Sequence, residues 1–170
     1  KSKIFSLEKD TVKAQELLDN PPRVQINKEA QENIVNIIHK AYWDKFQKSI
    51  DDKEWDQLVG SVEEIKTMFK ELIPHREDLH REMEDKLDTE ILKQRLESNT
   101  MNNDSIFELI TYIVDWVRQF QAPVDDTDTE EWFEHLKSQT DWGVLMRDFF
   151  MITFAKLDKI KSTISVINKK

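Results

Sequence analysis

The sequence predicts an all-α fold: an irregular bundle of six or seven helices with a long C-terminal helix and no sheet. Three observations predict it. Glycine is scarce, at 2 of 170 residues, and proline counts 4; all-β folds and phosphate loops draw on glycine for φ > 0. Apolar residues recur at helical spacing along most of the chain, and no stretch reads clearly as a strand. Asp104–Phe120 carries apolar residues at Ile106, Ile110, Ile113, Val117 and Phe120, with Phe107, Val114 and Trp116 widening the stripe. A helix apolar nearly all round is buried on several sides, which places this one at the centre. At about 1.5 Å per residue it is roughly 25 Å long. Glu108, Asp115 and Arg118 interrupt it, so it does not read as a membrane span, which needs about 20 mostly apolar residues.

The other elements follow in order. Residues 1–27 read as an N-terminal extension, with a short amphipathic helix over Leu7–Leu18 ended by Pro21–Pro22. Residues 28–170 form the helical domain. Asn27 is a cap for a helix to about Ile50, whose stripe is Ala30, Ile34, Ile37, Ile38, Ala41, Tyr42, Phe46 and Ile50. Asp51–Asp52 are read as the next cap, for a helix from about Lys53 to Ile73 stopped by Pro74. Residues 75–98 keep Leu79, Met83, Leu87 and Ile91 in one row, as one helix or two joined near Asp88. Asn99–Asn103 is a turn, and Ser105-x-x-Glu108 reads as a capping box into the central helix. Pro123 and the acidic run Asp125, Asp126 and Asp128 make a loop before a short helix with Trp132, Phe133 and Leu136. Asp141 starts the last helix, which carries Leu145, Phe149, Phe150, Phe154, Leu157, Ile160, Ile164 and Ile167.

Charge and composition narrow the function classes. The net charge of −9 disfavours nucleic acid as a partner, because such binders carry a basic face. There is no cysteine, hence no disulfide framework and no thiol chemistry, which fits a reducing compartment. With no signal segment, the chain reads as a cytosolic fragment, and the expected location is cytoplasmic. The histidines, His39, His75, His80 and His135, lack metal-ligand spacing, and two glycines cannot build a phosphate loop. No metal, cofactor or enzyme activity is expected. Asn103-Asp104-Ser105 matches a glycosylation pattern, but the capping role is preferred. Thr127 and Thr129 precede acidic residues, as targets of an acidic-directed kinase do; a capping box, Thr127-x-x-Glu130, is the preferred reading.

Ile37–Asp44, IIHKAYWD, resembles the His-Lys-Ala-aromatic-Trp-Asp signature of the T-complex protein 11 family, on His39, Lys40, Ala41, Trp43 and Asp44. The likeness continues through Glu63–Lys66 (EEIK), Leu72–Arg76 (LIPHR), Leu87–Gln94 (LDTEILKQ), Ala122–Val124 (APV) and Leu145–Phe150 (LMRDFF). It spans roughly residues 30–165 and corresponds to the N-terminal part of a longer family domain. Gln121 stands where the family usually has a cysteine, and Asp125 where it tends to carry an arginine. The resemblance implies a helical intracellular protein without known catalytic chemistry, in a family linked to sperm function and to cyclic-AMP and protein kinase A signalling.

The expected function is therefore a regulatory protein-interaction module, with Trp43, Ile152, Phe154, Lys156 and Lys159 as candidate contact residues. Trp43 has packing between helices as its other reading. The last helix carries a second apolar side, Trp142, Met146, Phe150, Ile152 and Phe154, expected to dock the rest of the family domain, a second copy in a homodimer, or a partner. The alternative is a membrane-surface module acting through the basic C-terminal helix, with Lys156, Lys159, Lys161, Lys169 and Lys170 against only Asp158.

Overall fold

The computed structural model describes residues 27–168. Among them are seven α-helices and one 3-10 turn, and no strand: α1 Lys28–Asp51, α2 Asp56–Leu72, α3 Glu77–Lys86, α4 Thr89–Glu97, α5 Asn103–Phe120, the turn Pro123–Asp125, α6 Asp126–Lys137 and α7 Trp142–Asn168. The expected Leu7–Leu18 helix lies outside the described residues. The chain divides into two compact units, Lys1–Ala41 and Tyr42–Lys170.

In the first unit, Asn27 Oδ1 accepts the Ala30 N–H at 2.7 Å, the side-chain cap its position predicts. Ile34, Val35, Ile37 and Ile38 stand exposed there. Of the stripe read along α1, only Phe46 and Ile50 are buried, together with Trp43, which lies off it. Periodicity tells which side chains share a face, not whether another element meets that face.

The second unit is organised around α5. Ile106, Ile110, Ile113, Val114 and Val117 are fully buried, and α5 packs against α6 and α7. A line of rings joins α1, α7 and α6: Trp43 to Phe46, Phe46 to Phe150, Phe150 to Phe149 and Phe149 to Trp132, with centroids 4.9–6.0 Å apart. Such aromatic pairs add about 0.5–1.5 kcal/mol each beyond their buried area. A second cluster, Phe69, Trp116 and Phe120, locks α2 to α5.

Several boundaries differ from the sequence reading. Asp51 closes α1 and Asp52 accepts from Lys48, so neither caps α2; the chain instead turns at Lys53, whose φ is 57°. Asp88 does separate two helices, accepting from the Glu90 and Ile91 N–H groups. Its row ends early, because Ile91 is exposed while Leu92 and Leu96 are buried. The cap of α5 is Asn102, which accepts from the Ser105 N–H at 2.8 Å, so Ser105-x-x-Glu108 is not a capping box. The acidic run is no open loop: it forms the 3-10 turn and the first turn of α6, where carboxylates favour the helix start. Thr127 therefore lies inside α6 and caps nothing. Asp141 caps α7, accepting from the Val144 N–H.

Candidate interaction surface

The ends of α2 and α7 that lie farthest along the chain leave a groove between them. Met68, Leu72, Leu157 and Ile164 line its apolar part, Glu71 and Lys161 supply opposite charges, and its volume is about 380 Å³. The side chains come from i,i+4 and i,i+7 positions of two helices, the arrangement that faces a groove. Beyond it, Val166 and Ile167 are exposed. Of these residues, the sequence pattern places Leu157, Ile164 and Ile167 of α7 on the core side and Leu72 on the apolar face of α2, but does not bring the two helices together at a groove. The missing signal was the pairing of α2 with α7, which no local pattern encodes.

A second hollow, of about 240 Å³, gathers three predicted contact residues, Ile152, Lys156 and Lys159, with Gln121, Asp125, Asp128 and Ile160. Its charges are paired internally: Lys156 Nζ binds Asp128 at 2.8 Å and Lys159 Nζ binds Asp125 at 2.7 Å. The Lys156 ammonium holds the Asp128 carboxyl below its ordinary value. Behind it, buried Thr129 donates to Gln121 Oε1 at 2.6 Å, and Gln121 Nε2 donates to Asp126.

The other two predicted contact residues sit elsewhere. Trp43 is 4% exposed and packs between Phe46 and Phe154, so it takes the packing alternative. Phe154 is half-buried beside it. Of the second apolar side of α7, Met146 and Phe150 are fully buried core, and Trp142 is half-buried and donates its Nε1–H to Asn103 at 2.8 Å. The end of α1 packs on Phe150 and Phe154 of the face expected to be open, while Ile152 of that face lines the second hollow.

The histidines do not converge. His80 Nε2 lies 2.8 Å from the Ile73 carbonyl oxygen, and His135 lies 3.4 Å from Asp148. Among the described residues no group of three His, Asp or Glu side chains is placed to hold a metal ion. No helix among them is long and apolar enough to cross a membrane.

Comparison with known proteins decides the family. The family model described as T-complex protein 11 matches residues 16–167. The chain belongs to the T-complex protein 11 family. A human protein named T-complex protein 11 homolog is 29% identical over 131 residues, covering 75% of this chain and 25% of that protein. The chain thus spans about a quarter of the length of that curated relative. No solved structure matches.

Four of the motifs that carry the family likeness, scattered in sequence, meet in two pairs. Asp44 of IIHKAYWD binds Arg147 of LMRDFF at 2.7 Å, and Gln47 accepts from the same guanidinium at 3.1 Å. Lys66 of EEIK is buried and donates to the Leu87 carbonyl, which opens LDTEILKQ, at 3.0 Å. Its ammonium also lies 3.2 Å from Glu63 and against Glu84. Burial opposes the Lys66 charge, but hydrogen bonds to Glu84 and Glu63 outweigh it and raise its pKa. Glu63 in turn accepts from Thr89 at 2.6 Å. The motif side chains therefore hold helices together. Gln121, at the cysteine position, supplies the amide that Thr129 and Asp126 bind.

Proposed function

We propose that this chain is a non-catalytic regulatory module of intracellular signalling that binds a protein partner through the α2–α7 groove. The supporting observation is that groove: half-buried Met68, Leu72 and Ile164 on two helices stand over buried Leu157, with Glu71 and Lys161 beside them. Its form suits the apolar face of an amphipathic helix, anchored at three- and four-residue spacing. The oppositely charged pair at its side sets the register of such a helix. Membership of the T-complex protein 11 family adds the cyclic-AMP and protein kinase A context, which is part of the proposal, as is a cytoplasmic setting.

The membrane-surface alternative draws less support. Two of its lysines, Lys156 and Lys159, are engaged with Asp128 and Asp125.

The test places a photo-crosslinking residue at Ser165, which is exposed and lines the groove. Irradiation in cells should join the chain to one defined signalling protein, and Ile164→Glu should abolish the product. Capture that survives Ile164→Glu, or none above the level of a probe at exposed Gln94, overturns the proposal.

A further inference from the structure

Among the described residues, five serine and threonine hydroxyls have a carboxylate three positions downstream: Ser49, Ser61, Ser105, Thr127 and Ser138. The fold separates them. Ser61 is buried. Ser49, Ser105 and Ser138 donate to the Phe46 carbonyl, Asn102 Oδ1 and the His135 carbonyl at 2.6, 2.9 and 2.6 Å. Thr127 is exposed, and among the described residues its hydroxyl has no hydrogen-bond partner. The capping role that would have explained it is excluded, because α6 starts one residue earlier. Thr129, the neighbouring hydroxyl in the same acidic stretch, is fully buried and donates to Gln121.

The surroundings of Thr127 are acidic on both sides: Asp125 and Asp126 before it, Asp128, Glu130 and Glu131 after it. The side chains of Asp128 and Glu130 are 78% and 52% exposed while pairing with Lys156 and Arg118, so a kinase's basic substrate groove reaches both by exchanging for these cations. Thr127 lies in the first turn of α6, directly after the 3-10 turn. First-turn N–H groups have no intrahelical partner, so drawing this residue into an extended conformation breaks few helical bonds.

We propose that Thr127 is a phosphorylation site for a Ser/Thr protein kinase that selects acidic residues downstream of its target. Thr127 Oγ1 attacks the γ-phosphorus of magnesium-bound ATP. The new P–O bond forms as the bond to the β,γ-bridging oxygen breaks, ADP leaves with that electron pair, and the hydroxyl proton passes to the kinase carboxylate. The phosphate adds a charge of about −1.5 to −2 at a helix N-terminus, where negative charge is stabilising. The inference stands apart from the groove, which lies on other residues.

The experiment incubates the folded chain with a purified acidic-directed Ser/Thr kinase and magnesium ATP, beside an acidic control peptide. Intact mass should show one added phosphoryl group, and fragmentation should place it on Thr127. Thr127→Val should remove it while its circular dichroism matches the wild type. Absence of incorporation while the control peptide is fully modified overturns the proposal, as does phosphate on any other hydroxyl of the folded chain. A peptide covering residues 122–136 that is modified while the folded chain is not also overturns it, because the helix then shields the site.

Discussion

Replacing Lys66 by methionine should weaken the fold by about 1–3 kcal/mol. The reasoning starts from what each partner loses. The Leu87 carbonyl accepts from Lys66 Nζ and its residue is 2% exposed; a buried acceptor left unpaired costs about 1–3 kcal/mol. Glu63 and Glu84 are half-exposed, at 50% and 52%, so water rehydrates them, and each ion pair adds only about 0–1 kcal/mol. Methionine keeps the volume and recovers part of the loss through easier burial. For a chain of this size, that cost lowers Tm by roughly 3–10 °C. Urea unfolding followed by circular dichroism at neutral pH measures it. The pH dependence supplies a second check. Hydrogen bonds from Lys66, then Lys70, hold the Glu84 carboxyl below its ordinary 4.5. A carboxyl depressed in the fold stabilises it above the unfolded value, and that contribution is lost as pH falls through the folded value. The gap between wild type and variant should therefore narrow below pH 4.5. Equal stability of the two proteins at neutral pH would refute the reasoning.

Two threonines should respond in opposite directions, again read by urea unfolding. Thr129→Val strands the buried Gln121 oxygen it now serves at 2.6 Å and should cost about 1–3 kcal/mol. Thr153 is fully buried, and among the described residues its hydroxyl has no partner; Thr153→Val should leave stability unchanged or raise it by about 1 kcal/mol. A third expectation concerns Tyr112, whose phenol donates to Glu82 at 2.9 Å. Burial, with Glu82 adding to it, pushes its pKa up to about 12. Tyr42→Phe leaves Tyr112 as the one tyrosine of the two, and tyrosinate absorbance should then rise with a midpoint near 12. Because the folded value lies above the unfolded 10.0, the neutral phenol stabilises the fold below pH 10, and that contribution is lost as pH climbs toward 12. A midpoint near 10 would contradict the buried environment.

The fold class and the central helix were legible because they rest on repeated local signals. Ile106, Ile110, Ile113 and Val117 repeat at helical spacing, and that spacing marks a helix with one apolar face, here widened by Val114 and Trp116. Caps were legible where one side chain at one position suffices, as at Asn27, Asp88 and Asp141. They were misread where two overlapping candidates compete: Asn102 displaced Ser105, and the α6 start displaced Thr127. What depends on tertiary meeting was not legible. Phe150 and Met146 read as a spare face of α7 because nothing local says that the end of α1 covers them. Lys66 read as one charge among many until the fold placed the Leu87 carbonyl, 21 residues on, at its ammonium. The groove needs both Leu72 and Ile164, whose proximity appears only when α2 and α7 pair.

The most direct test of the groove as a binding face is the affinity of the crosslinked partner, in purified form, for wild type and for Ile164→Glu. Burying one such side chain contributes about 1.5–3 kcal/mol, and 1.4 kcal/mol is about tenfold in Kd. Isothermal titration should show at least about a tenfold loss for Ile164→Glu, with a melting curve that overlays the wild type. An unchanged Kd in a variant that remains folded would contradict the account.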